Sequence, residues 1–170
     1  MNYYAVGYHG TTEEGADIIL DKSHGIDFSR REGDVFLGRG FYVWRDGCHV
    51  AKNWKNSKVI IEVKIECPQD EMLNFTSRIW NNELDIMKLY LKYFKPKEIY
   101  FGEFIDFLID ELGVDIKLIT IMDLKNKATK IHIQDPLNPK NKTIFSYGDI
   151  QLCIKHQNIV SNLREVDDES

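Results

Sequence analysis

The sequence predicts a single α+β domain, and three features of its 170 residues carry that reading. Hydrophobic residues make up 43% of the chain and aromatic residues 12%, enough to build one packed core at a length typical of one domain. Residues 58–66 (KVIIEVKIE) set Val59, Ile61, Val63 and Ile65 against charged neighbours, the period-two pattern of a half-buried strand. Residues 76–94 and 101–112 instead space their apolar side chains three and four apart, as helices with one buried face do.

The elements follow in order. Residues 3–8 (YYAVGY) are β-prone and end at His9-Gly10-Thr11-Thr12. Thr12 is a candidate N-cap, with Glu13 and Glu14 in the first turn of a helix running to about Lys22 and burying Ala16, Ile19 and Leu20. Residues 23–34 are polar and turn-rich, a loop of the length that often binds ligands. The segment VFLGRGFYVW (35–44) passes from Gly38 and Gly40 into an aromatic strand, and a short helix over 46–54 carries Ala51 and Trp54. In the middle, Trp80, Leu84, Met87, Leu91 and Phe94 form one predicted core stripe. Phe101, Phe104, Ile105, Leu108 and Leu112 form a second, closed by Gly113 as a helix stop. Residues 115–122, 129–134, 143–147 and 149–155 read as strands, with a turn at Asp135-Pro136-Leu137-Asn138-Pro139. The domain is expected over 1–164, with a helical insertion at about 70–113 and an acidic tail over 165–170.

Charge and cysteine usage narrow the function. Lys and Arg number 22 against 27 Asp and Glu, a formal net charge of −5 that argues against non-specific binding to nucleic acid or an anionic membrane but leaves room for a small basic patch. No apolar run approaches the ~20 residues that span a bilayer, and the start MNYYAVGYHG has no basic-then-apolar leader. Cys48, Cys67 and Cys153 are odd in number and form no CxxC or Cys/His cluster, so they read as core residues of a reducing cytoplasm, with no disulfide framework and no metal site. His24, His49, His132 and His156 show no ligand spacing and read as structural.

Three segments are candidates for chemistry: Tyr8-His9-Gly10-Thr11 after the first strand, Gly38-Arg39-Gly40-Phe41-Tyr42 before the second, and Asp149-Ile150-Gln151 late in the chain. Each alone has an ordinary structural explanation. The full GxGxxG fingerprint is missing, and no GxxxxGK[ST], GxSxG, HExxH or kinase motif set occurs.

In this order and spacing the three segments resemble the ADP-ribosyltransferase superfamily, in its diphtheria-toxin and poly(ADP-ribose) polymerase class with a His–Tyr–Glu triad, and especially its small bacterial members. His9-Gly10-Thr11 matches the His-Gly-[Ser/Thr] motif, Gly38 to Tyr42 matches Gly-x-Gly-x-Tyr, and Ala51-Lys52-Asn53-Trp54 resembles the helix that follows. The likeness covers residues 5–66 and 143–163; the helical middle is unmatched. It implies split antiparallel sheets with His9, Tyr42 and the third position converging on a cleft between them.

What the resemblance implies for chemistry can be set against the residue types. NAD is the expected substrate, and nicotinamide leaves its anomeric carbon through an oxocarbenium-like transition state. His9 would bond the nicotinamide-side ribose, Gly10 would let backbone approach the carboxamide, and Thr11 would add a hydroxyl. Tyr42 would stack on the ring, with Trp54 as a second wall and Gly40 among the cofactor-binding residues. Arg30, Arg31 and Arg39 are candidates for the pyrophosphate. The family's Glu is absent: Gln151 fits the third position best, with Asp149 on the same strand face as the competitor. A glutamine can bond a ribose hydroxyl but cannot serve as a carboxylate base, which points to transfer of a single ADP-ribose. The implied protein is a mono-ADP-ribosyltransferase, a bacterial or phage-related toxin or effector acting on an intracellular protein or nucleic acid, with an antitoxin or immunity partner and no membrane. A catalytically degenerate NAD- or ADP-ribose-binding or protein-interaction domain is the alternative, and an RNA 2′-phosphotransferase-like enzyme a further one.

Overall fold

The structure, a computed structural model, describes residues 1–21, 24–29, 37–55, 57–76, 81–122, 129–134, 142–147 and 149–166. It is an α+β fold. Its strands are β1 (Asn2–Thr11), β2 (Phe41–Arg45), β3 (Val59–Pro68), β4 (Met72–Asn74), β5 (Leu118–Met122), β6 (Thr129–Gln134), β7 (Lys142–Tyr147), β8 (Ile150–Ile154) and β9 (Val160–Glu165). Its helices are α1 (Glu13–Leu20), α2 (Cys48–Lys52), α3 (Asn81–Leu89) and α4 (Phe101–Asp110). Seven strands form one mixed sheet in the order β4-β5-β8-β2-β1-β3-β9, parallel only between β4 and β5, while β6 and β7 pair as a separate hairpin.

Alternation along the strands gives the sheet two distinct faces. On one, Phe41, Val43, Ile61, Val63, Ile65, Leu118, Leu152 and Ile154 are buried beneath Ala16, Ile19 and Leu20 of α1. That helix starts as its sequence predicts: the Thr12 hydroxyl accepts the Gly15 N–H at 3.2 Å. On the other face α4 inserts Phe104, Ile105 and Leu108 against Ile119 and Cys153, and α2 sets Ala51 against Trp44 and Ile60. Gly113, with φ +65°, ends the α4 region as expected, and the Val114 N–H reaches back to the Leu108 carbonyl at 3.0 Å.

Several expectations change. The paired sheets are one sheet, whose β1–β2 ladder holds only Gly7↔Arg45 and Tyr8↔Trp44, against ten pairs between β1 and β3. The stripe over 76–94 is rotated: Leu84 and Leu91 are 41% and 48% exposed, while Ile86, Tyr90 and Phe94 pack on the core. The α-helix passes into a π-helical turn at Tyr90–Phe94. Leu112 lies past the end of α4 and is also exposed. Glu165 is the last residue of β9, opposite Ile61, and so belongs to the sheet rather than to an acidic tail. The turn expected at 135–139 lies outside the described residues.

Candidate functional site

The sheet is split where β1 and β2 separate. Continuing the register from Tyr8↔Trp44 would pair Gly10 with Tyr42, and that pair is not made. His9 takes its place: its Nδ1 lies 2.8 Å from the Tyr42 carbonyl. A carbonyl only accepts, so Nδ1 carries the proton and donates. The imidazole also packs on Phe41, with ring centroids 4.4 Å apart. Because the Val6 carbonyl accepts the Asp46 N–H across this seam, the amides of Val6, Tyr8 and Gly10 all point toward β2. The Gly10 amide therefore faces the split, with one donor and one acceptor. A Cβ on Gly10 would lie 2.1 Å from the Ala51 carbonyl oxygen and 2.3 Å from Ser57 Oγ, so only glycine lets α2 approach this closely.

The Tyr42 side of the split is held by the glycine loop. The Tyr42 hydroxyl donates to the Gly38 carbonyl at 2.7 Å and accepts the Leu37 N–H at 2.9 Å. Burial first, and then neighbouring Cys153, push that hydroxyl above the ordinary tyrosine range, so it stays protonated. Gly38, at φ +82°, has no room for a side chain: a Cβ would meet Asp106 Oδ1 at 2.4 Å and the Gly102 carbonyl at 2.6 Å. Asp106 accepts the Arg39 N–H through both oxygens, at 2.9 and 3.1 Å. Buried Lys155 donates to the Leu37 carbonyl at 2.6 Å and to the Arg39 carbonyl, with Asp106 Oδ1 3.6 Å away. Sequence reasoning missed Asp106 and Lys155. An acidic residue in a helix and a lysine after a strand read as solvated until the fold sets both under one loop.

The remaining candidates divide. Tyr42 sits opposite Cys153, and Gln151 opposite Trp44, one row along the same face of the sheet. Ordered across that face, the Gln151 row reads Ile121, Gln151, Trp44, Tyr8, Glu62, Arg164. Trp54 belongs to this face too, its ring 5.7 Å from that of Trp44. His9 leaves β1 on the opposite face, beside Ile61 and Phe41. The expected convergence of three side chains is thus replaced by a His9 contact with the Tyr42 backbone, and the Tyr42 and Gln151 side chains share the other face. Asp149 precedes β8 and is half-buried. Thr11 lies against the start of α1, its hydroxyl 2.2 Å from the place a Gly15 Cβ would take. The Arg39 guanidinium pairs with Asp110, and its Nε lies 3.5 Å from Asp106 without a hydrogen bond. Arg30 and Arg31 lie outside the described residues.

Glu62 is a buried carboxylate of this face. Arg164 binds it through both oxygens at 2.7 and 3.0 Å, Tyr8 donates to it at 3.2 Å, and these bonds, the Arg164 one foremost, hold its carboxyl below the usual range. Among the described residues no three His, Cys, Asp or Glu side chains cluster as a metal site, and no helix is long and apolar enough to cross a membrane. A cavity of about 510 Å³ lies at the far end of β1, lined by Tyr4, Val6, Lys64 and Glu66 among others, and none of the candidate residues borders it. No protein-family model matches the sequence, and no curated protein matches it significantly.

Proposed function

We propose that this protein is an NAD-dependent mono-ADP-ribosyltransferase of the ADP-ribosyltransferase-like fold, with the nicotinamide subsite at the β1–β2 split. The single observation that carries the reading is the missing Gly10–Tyr42 pair, propped open by His9. A primary carboxamide needs one acceptor and one donor in a plane, and the Gly10 amide offers both toward the gap. The Tyr42 ring on this face supplies an aromatic wall, and Trp54, whose ring lies 5.7 Å from that of Trp44, is the candidate second wall.

In the proposed reaction the bond from the ribose anomeric carbon to the nicotinamide nitrogen breaks, and its electron pair leaves with nicotinamide. An acceptor nucleophile then bonds to that carbon and gives its proton to solvent or a nearby base. Gln151 orients a ribose hydroxyl or the acceptor, one row from Tyr42. The toxin or effector role, acting on an intracellular macromolecule, belongs to the same proposal.

A non-catalytic NAD- or ADP-ribose-binding domain is the second reading, favoured by one observation. The charged carboxylate on this face, Glu62, is bound by Arg164 and Tyr8, and the third position holds an uncharged glutamine. Incubation with NAD labelled in the adenylate, in a cell lysate, separates the two. Transfer is expected, and separate protease and nuclease digestion then assigns the label to protein or nucleic acid. Tight NAD binding with neither transfer nor nicotinamide release would favour the second reading.

A further inference from the structure

The helical segment carries a charged patch that this reading does not use. Residues 88–97 (KLYLKYFKPK) hold Lys88, Lys92, Lys95 and Lys97 and no acidic residue. The whole chain is −5, so the other 160 residues sum to −9, and this segment is a positive island on an acidic body. All four lysines are exposed, and among the described residues only Lys88 has an acidic partner, Asp85 at 3.4 Å.

Aromatic rings accompany the charges. Tyr93 is 50% exposed, with the Lys92 ammonium 4.9 Å from its ring centre, and Tyr100 is 77% exposed. The backbone here is irregular. The π-helical turn Tyr90–Phe94 runs into a 3-10 turn at Lys95–Lys97, and Glu98 follows with φ +59°. Turns of that kind often mark functional positions.

The geometry points to a surface for single-stranded nucleic acid, with phosphates on the four lysines and an unpaired base on Tyr93 or Tyr100. A membrane-surface helix must present a continuous apolar face beside its lysines, but here Ile86, Tyr90 and Phe94 are already packed on the core. What remains outward is positive charge with exposed ring faces, the combination that binds single strands, beside the exposed leucines Leu84, Leu89 and Leu91. This inference is independent of the transferase reading: it concerns binding, needs no NAD, and can fail or hold whether or not the protein transfers ADP-ribose.

Fluorescence anisotropy of a dye-labelled 16-nucleotide single strand, DNA and RNA, titrated with the full chain at 50 to 200 mM salt tests it. Binding is expected, with log K falling against log salt at a slope of about 3, from ~0.7 per phosphate over four contacts. Replacing all four lysines by glutamine should abolish binding, and replacing all four by arginine should keep it. Tyr93→Ala and Tyr100→Ala together should weaken it about fivefold to a hundredfold, and a duplex of the same sequence should bind more weakly than the single strand. Melting curves confirm that the variants, all on exposed side chains, remain folded. The proposal is overturned by no binding at 50 mM salt, by glutamine variants that bind as well as wild type, or by duplex and single strand binding alike with the tyrosines indifferent. It is equally overturned if phosphatidylserine vesicles retain the protein while the oligonucleotide does not.

Discussion

Replacing Tyr42 by Phe separates two jobs that one side chain performs. The substitution keeps the ring and deletes a hydroxyl that donates to the Gly38 carbonyl and accepts the Leu37 N–H, at 2.7 and 2.9 Å. Both loop residues are buried, Leu37 completely, so water cannot easily replace the lost partner. A buried backbone group left without its hydrogen bond costs about 1–3 kcal/mol. With two such groups, and credit for no longer burying a hydroxyl, Tyr42→Phe should destabilise the fold by about 2–4 kcal/mol. At roughly 2–4 °C per kcal/mol for a chain of this size, the melting temperature should fall by roughly 5–15 °C. Circular dichroism or calorimetric melting measures this directly. In the same variant, NAD turnover per folded molecule should stay within a few-fold of wild type, because the stacking ring remains. A melting temperature within about 1 °C of wild type would refute the account of the glycine loop. Turnover lost while the protein is folded would refute the claim that only the ring serves NAD.

Other outcomes follow from the same structure. Glu62 has its carboxyl held low, chiefly by Arg164, so its stabilising contribution is present above the unfolded carboxylate range and is lost as pH falls below about 4.3 through the lower folded value. Glu62→Gln should therefore lower stability near neutrality and flatten its acid-side decline, read from denaturant midpoints between about pH 3 and 7; an unchanged slope would contradict the pairing. Cys67, with its thiol pushed up to about 12 chiefly by burial, and fully buried Cys153 should resist a thiol reagent until the protein unfolds, leaving half-buried Cys48 as the residue that labels first. Gln151→Ala, in a protein shown to be active, should reduce transfer by about 10²–10³ and Asp149→Ala should matter less; the reverse ranking would move a carboxylate to the centre of the mechanism.

What could be read in advance was local. The Thr12 cap, the α1 stripe and the Gly113 stop each depend on residues within a few positions of one another, and the structure carries all three; β3 forms where its pattern predicts a strand but alternates in burial only from Val63 onward, since Ile60 and Glu62 are buried along with Ile61 and Val63. The rotated face of the 81–94 segment was hidden because apolar residues occur on both sides of that helix, and only tertiary packing against the core decides which side is buried. Met72–Asn74 and Val160–Glu165 are strands because the sheet edges β5 and β3 recruit them, not because their own pattern alternates. The site divided in the same way. His9, Gly10 and Tyr42 were visible as motif residues, yet their relation, a broken ladder with a histidine in place of the missing pair, is a matter of register between strands. The support beneath Tyr42 was invisible for the same reason, since Asp106 and Lys155 meet across 49 positions of chain.

The most direct test of the central claim is nicotinamide release from NAD by the purified protein, compared with His9→Ala and with a melting curve for each. The account predicts release by wild type, with or without an added acceptor. It predicts a loss of at least tenfold in His9→Ala, of the order seen when one oriented hydrogen bond is removed from an active site, while that variant remains folded. Wild-type release by folded His9→Ala would contradict the placement of the subsite at the β1–β2 split. No NAD cleavage by wild type under any condition that preserves the fold would contradict the transferase itself.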